Sequence, residues 1–315
     1  MRGGADADLI SLAASLTSGS INGDRGGDTL VLGTLLAASV YGGSLTDTSN
    51  DQADSLLVMG SVSGALLQGN AGADTFSLRG ALLGNSTVYG GKDNDHISIG
   101  GAISNATLFG NDGSDTLLGQ SITTGLASVA IYGGDLSAQQ TSADLLSFGF
   151  VGASSATLMG AAGADTIWLG RDASNLIRSS QINAAAGHDS LVIWGALASS
   201  TVLAGAGDDT LSFNSQGSGV ALQGVWSGGL GADLIVAPQL ACATVWGDDG
   251  DQNSSAGGND VIGFTTAAQL RLEGNGGDDS LIITTATAVT LLGGAGADTL
   301  QLNTLADSGA LLDGG

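Results

Sequence analysis

Gly69-Asn70-Ala71-Gly72-Ala73-Asp74-Thr75-Phe76-Ser77-Leu78 contains, in ten residues, the unit from which the chain is built. A glycine turn ends in an aspartate, and two large apolar residues follow it in alternation. The same context recurs at Asp8, Asp28, Asp54, Asp74, Asp95, Asp115, Asp144, Asp165, Asp189, Asp209, Asp233, Asp260, Asp279 and Asp298, with gaps of 19 to 29 residues. A period near twenty, sustained from end to end, is the mark of a solenoid.

Two residues after the aspartate a large apolar side chain stands in all fourteen cases, from Ile10 to Leu300. Four residues after it twelve of the fourteen are again large and apolar, Gly119 and Ala237 being the exceptions. That alternation predicts a strand with one buried face. Seven residues before the aspartate a second apolar position recurs, as in Ile21, Leu67, Val88, Leu108, Leu158, Ile182, Val202, Leu272 and Leu291. The pattern predicts an all-β parallel β-roll or β-solenoid of about 14 coils of roughly 20 residues, with two short strands per coil. It runs over residues 1–315 as a single continuous stack, with a second turn of small residues, such as Arg79 to Ser86, closing each coil.

Of the thirty acidic residues only Glu273 is glutamate. A merely solvated acidic surface would use both acids, whereas a tight turn that aims a carboxylate at its own backbone favours the shorter one. Glycine, 54 of 315 residues, falls repeatedly five and two residues before the aspartate. There it permits positive φ and close backbone approach. Seven basic residues and a formal net charge of −23 make nucleic acid and anionic membrane poor partners. The single Cys242 excludes an intramolecular disulfide framework and a cysteine metal cluster. No apolar run is long enough for membrane insertion. The N-terminus lacks the apolar core of a secretory signal, and neither end carries a cap. The chain therefore reads as an excerpt of a longer repeat protein, meeting further repeats of the parent chain or neighbouring copies end to end.

Stacked coils would place the aspartates in a column about 4.8 Å apart. Two bare carboxylates at that separation repel by about 3.5 kcal/mol at an effective dielectric near 20. The protein has too few cations to offset this, so the column implies a divalent ion. Carboxylates and turn carbonyls are hard oxygen ligands in a flexible loop, which suits Ca²⁺ better than Mg²⁺ or zinc. His96 and His188, each beside a register aspartate, read as incidental turn residues.

Residues 69–78, Gly110-Asn-Asp-Gly-Ser-Asp115-Thr-Leu-Leu118 and Gly293-Gly-Ala-Gly-Ala-Asp298-Thr-Leu-Gln-Leu302 resemble the RTX, or hemolysin-type calcium-binding, repeat G-G-x-G-x-D-x-U-x, in which U is large and apolar. The resemblance implies Ca²⁺ bound between stacked coils, through aspartate carboxylates and turn carbonyls. Carried over, it implicates Asp28, Asp74, Asp95, Asp115, Asp165, Asp189, Asp209, Asp233, Asp279 and Asp298. The turn carbonyls are those of Gly69, Gly72, Gly90, Gly110, Gly113, Gly160, Gly163, Gly274, Gly277, Gly293 and Gly296.

The chain departs from the family by carrying one motif per coil, which predicts a one-edged ladder whose opposite turns are held by Ser, Thr and Asn hydrogen bonds. The leading glycines are lost in places, as in Asn183-Ala184-Ala185-Ala186-Gly187-His188-Asp189. Inserted turns near 43–53, 134–143 and 248–259 are expected to interrupt the metal register beside Asp54, Asp144 and Asp260. The functional expectation is a secreted, calcium-binding structural segment of a cell-surface, surface-layer or adhesin-like protein. The alternative is a calcium-triggered secretion and folding module of a larger toxin or hydrolase. An enzyme is not expected: fourteen of the thirty carboxylates belong to the register, Lys92 is the only lysine and aromatic residues make up 4%. A glycan contact at an outward residue such as Trp168 is left open but unsupported.

Overall fold

The computed structural model describes residues 1–44, 51–122, 125–135, 141–150, 152–171, 175–214, 223–248, 257–307 and 309–315. Among them the chain is all-β, with parallel strands stacked as a β-solenoid of about 13 turns of about 21 residues. It divides into two compact units, Met1–Ala162 and Gly163–Gly315.

The coil around Asp74 shows how the sequence closes on itself. Strand Leu66–Ala71 leads into the glycine turn, Thr75–Leu78 leaves it, and Leu82–Leu83 crosses the far side. Each pairs in parallel with its counterparts one coil earlier and one coil later. Thr75–Leu78, for example, lies between Ser55–Val58 and His96–Ile99. The second unit repeats this arrangement: Ser190–Ile193 lies between Thr166–Leu169 and Thr210–Phe213.

Alternation along these strands builds the interior. In the first unit Leu30, Leu56, Phe76, Ile97, Leu117 and Leu146 form one buried column, and Val40, Leu67, Val88, Leu108 and Ile131 form another. In the second unit the corresponding columns run through Ile167, Leu191, Leu211, Ile235, Ile262 and Leu281, and through Ile182, Val202, Trp226, Val245, Leu272 and Leu291. Each such side chain contributes about 1.5–3 kcal/mol of burial. Trp226 is fully buried and stacks on Phe213 at a centroid distance of 3.8 Å. Trp168, by contrast, faces outward and is 47% exposed. Outside the first unit's core, Tyr89, Phe109 and Tyr132 stack ring on ring at 4.9 and 4.8 Å, one ring per coil.

In several coils a short third strand joins the two expected, and in others it is continuous with the strand that leads into the glycine turn, as in Ile103–Asp112 and Ala196–Ala206. Leu82–Leu83 and its equivalents place a third inward column, Leu35, Val62, Leu82 and Ile103 in the first unit and Ile177 and Leu197 in the second. Where the short strand stands alone, at Leu35–Leu36, Val62–Ser63 and Leu82–Leu83, it has one inward residue in a segment of two, too short for alternation to register. The corner before the glycine-bound strand is also tighter than expected. Ser18, Ala37, Asn85, Asn105, Ser128 and Ser155, and in the second unit Ser179 and Ser199, all adopt φ between 47° and 63°. This corner is joined from coil to coil chiefly by backbone bonds, such as Ser18 N–H to the Leu36 carbonyl at 2.8 Å. Side chains help at a few coils only; the buried Ser86 hydroxyl, for instance, donates to the Leu83 carbonyl and accepts from Ala65 N–H.

Candidate functional site

The aspartates that set the repeat all lie at the same corner, where the glycine turn meets the following strand. Their side chains point into the stack, and Asp28, Asp74, Asp95, Asp115, Asp165, Asp189, Asp209, Asp233 and Asp279 are at most 3% exposed. Asp298, in the last coil, is half-buried.

Each carboxylate is spoken for on one side. In the first unit the backbone N–H of Asp8 donates to Oδ1 of Asp28, and the pattern continues from Asp28 to Asp54, Asp54 to Asp74, Asp74 to Asp95, Asp95 to Asp115 and Asp115 to Asp144, at 2.6–2.7 Å. In the second unit it links Asp165, Asp189, Asp209, Asp233, Asp260, Asp279 and Asp298 in order, at 2.7–2.9 Å. The other oxygen, Oδ2, is buried without a hydrogen-bond partner at Asp28, Asp54, Asp74, Asp95, Asp115, Asp189, Asp209, Asp233, Asp260, Asp279 and Asp298.

The glycine five residues before the aspartate exists for that oxygen. A Cβ at Gly69 would fall on Oδ2 of Asp74 and on the carbonyl oxygen of Gly90 in the next coil. The same pair of atoms crowds Gly90, Gly110, Gly274 and Gly293. The glycine two residues before the aspartate has another reason. Gly113, Gly187, Gly207, Gly277 and Gly296 have φ from +127° to +155°, and a Cβ there would strike the carbonyl of the preceding coil's turn. Gly72 and Gly163 share the positive φ. Ala184 and Ala204 replace the first glycine in two consecutive coils, where both methyls are buried.

Burial without a countercharge penalises the ionised form. Desolvation, opposed by the backbone hydrogen bond, pushes Asp74 and Asp260 up to about 9, Asp54, Asp95 and Asp233 up to about 8, and Asp209 up to about 7. Asp115, Asp189 and Asp279 rise to about 6, and Asp28 is raised by the same cause. The edge is thus a file of acids that either hold their protons or require a cation.

The inserted turns lie partly outside the described residues, and the hydrogen-bonded ladder of aspartates continues beside them. The ladder passes through Asp54 and Asp260, and reaches Asp144 from Asp115, with the same hydrogen bonds as elsewhere in each unit. Two of the insertions are anchored by an additional acid. Asp51 accepts Ser44 N–H at 2.9 Å, and Asp248 accepts Gly258 N–H at 3.2 Å and Gly276 N–H at 3.0 Å. An asparagine of the next coil completes each anchor: Asn70 donates to the Gly43 carbonyl and Asn275 to that of Asp248.

A second, outer ladder sits one residue before the register aspartate and runs the opposite way. Ser114 N–H donates to Asn94 Oδ1, Asp208 N–H to His188 Nδ1, Ala232 N–H to Asp208 Oδ1, Asp278 N–H to Asn259 Oδ1, and Ala297 N–H to Asp278 Oδ1. The recurrence of Asn, Asp or His at that position was its signal in the sequence. His188 therefore has a structural partner, and His96 pairs on the outer face of its strand with Thr75 and Thr116.

The donor set suits a hard cation and no other kind. Only oxygens converge at each glycine, one from a carboxylate with no donor and one from a backbone carbonyl. Among the described residues no three of His, Cys, Asp and Glu come together. A cation would therefore meet single carboxylates in file with carbonyls between them, oxygens of the kind Ca²⁺ takes but two per coil against the roughly six to eight it needs. Comparison of the chain with protein-family models, curated proteins and solved structures finds no match in any of the three.

Proposed function

We propose that this chain is a calcium-stiffened structural segment of an extracellular or cell-surface protein, of the RTX type, with no catalysis of its own. The observation that carries the proposal is the repeated Oδ2, buried, without a donor, and set against a glycine carbonyl of the next coil. An oxygen so placed has lost its water and gained nothing in exchange, which costs free energy at every coil. Ca²⁺ takes roughly six to eight oxygen ligands at about 2.3–2.6 Å, so a bound ion would draw together carboxylate and carbonyl oxygens of neighbouring coils. When bound, it supplies the countercharge that the column lacks and ties one coil to the next.

The residues that would hold it are the register aspartates, Asp54, Asp144 and Asp260 included, with the glycine carbonyls of the turn. The rest of the chain supports a scaffold. Its inward positions are used alike from coil to coil, and its charge of −23 favours a dispersed, cation-rich setting. Crystals grown in calcium test the assignment. Anomalous peaks beside Oδ2 of Asp74, Asp95 and Asp279 are the expected result, and a bare aspartate edge in saturating calcium overturns it.

A further inference from the structure

We propose that Asn85 and Asn105 are acceptors for N-linked glycosylation, on adjacent coils of one uncharged face. The inference rests on the extracellular reading above. Asn85-Ser86-Thr87 and Asn105-Ala106-Thr107 each match the acceptor pattern Asn-x-Ser/Thr with no proline in the middle.

Such triplets are short and arise by chance, so their placement decides the matter. Both asparagines are exposed, at the left-handed corner, with φ of 63° and 48°. The middle residues Ser86 and Ala106 turn inward and are 1% and 4% exposed. Thr87 and Thr107 turn outward again and pair with each other across the coil boundary. Amide and hydroxyl therefore stand on the same solvent side in both triplets. Asn85, Thr87, Asn105 and Thr107 line one open depression of about 430 Å³, which continues past Ser128 and Ser155 of the next two coils. No charged side chain lines it, in a protein of net charge −23. The space suits a neutral, hydroxyl-rich sugar directly beside its point of attachment. At the same corner of those next two coils serine replaces the amide, so the attachment chemistry stops at Asn105. A third triplet, Asn253-Ser254-Ser255, lies outside the described residues.

The reaction needs a transferase and a lipid-linked oligosaccharide as co-reactant. The asparagine Nδ2 attacks C1 of the first sugar. The Nδ2–C1 bond forms as the bond from C1 to the phosphate oxygen breaks, the lipid phosphate leaves with the electron pair, and Nδ2 gives up one proton. Neither residue belongs to the aspartate ladder, and both side chains are already in solvent, so the folded stack tolerates the product.

The test gives the full chain a secretory leader in a glycosylating host, so that its route does not depend on where the protein resides. Peptides of the secreted product are then analysed by mass spectrometry before and after enzymatic deglycosylation. Sugar is expected on the Asn85 and Asn105 peptides. It should vanish from the first in Thr87→Ala and from the second in Thr107→Ala, with the strand spectrum of each variant unchanged. Should a variant fail to leave the cell, translation of the full chain with microsomes reads the transfer before folding matters. Bare peptides at both positions overturn the proposal and leave the extracellular reading standing. Recovery of the native protein only from inside cells would sink that reading, while acceptor competence, measured with the leader, would be judged separately.

Discussion

The backbone N–H of Asp74 donates to Oδ1 of Asp95, 21 residues later in the chain and 2.7 Å away. The next step, Asp95 N–H to Asp115 Oδ1, repeats it at the same distance. A side chain thus joins the backbone ladder at the corner where the turn would otherwise leave a buried N–H without an acceptor. This explains why the residue is aspartate: the acceptor must be short enough to reach the coil behind it.

Removing one rung should expose its two roles separately. Asp95→Ala leaves the Asp74 N–H buried and unsatisfied, and about 2–4 kcal/mol of stability is expected to go with it. Asp95→Asn keeps the accepting oxygen and abolishes the ionisable group. In chelator near pH 8 it should melt at or above the parent, while its gain on adding calcium shrinks. Thermal melts of the three proteins with and without calcium check both signs, and an Asn variant as damaged as the Ala variant would show that hydrogen bonding at this position is misassigned.

Glycines differ in what they permit. Gly69→Ala would force a methyl onto Asp74 Oδ2 and the Gly90 carbonyl, with a glycine coil on the far side unadapted to it. A loss of about 1–3 kcal/mol is expected. Gly263 faces open space, its nearest neighbour for an added Cβ being Val236 Cγ1 at 3.9 Å. Gly263→Ala should be neutral or stabilise by about 0.5 kcal/mol through the unfolded chain. Denaturant unfolding of the pair measures the contrast.

In the absence of calcium the pH dependence should be the reverse of that of an ordinary acidic protein. Desolvation raises the folded-state values of Asp54, Asp74, Asp95, Asp233 and Asp260 to about 8 or 9, well above those of an unfolded carboxyl near 4. The folded chain then holds protons that the unfolded chain has released. Their stabilisation is complete below about pH 4 and is lost as pH rises through the folded values. Melting in chelator should fall from about pH 4 upward, most steeply between about pH 5 and 6, and flatten as pH passes the folded values. A stability maximum near pH 7 would contradict the buried acids.

Most of this architecture was legible from residues such as Phe76 and Leu78, whose alternation after Asp74 carries one strand and whose recurrence carries the stack. The burial of the aspartates was not. A turn acid beside glycine reads equally as a surface ligand and as an inward hydrogen-bond acceptor, and only the crowding of Gly69 against Asp74 Oδ2 separates the two. The length of the insertions does not reveal that the hydrogen-bonded ladder continues beside them at Asp54 and Asp260. Asp51 and Asp248 were counted as loop residues, yet each takes backbone N–H groups that hold its insertion to the stack. The third strand escaped notice because Leu82 is the only inward residue of its segment.

Protons and calcium compete, in this account, for the same file of buried oxygens, and the most direct measurement is calcium titration of the chelator-stripped chain by calorimetry at several pH values, with melting followed on the same samples. Saturable binding near pH 8 is predicted, with release of protons seen as a dependence of the heat on the buffer used. The accompanying rise in melting temperature should fade as pH drops toward 5, where the acids keep their protons. A chain that takes up no calcium near pH 8, and melts at the same temperature with and without it, would contradict the account.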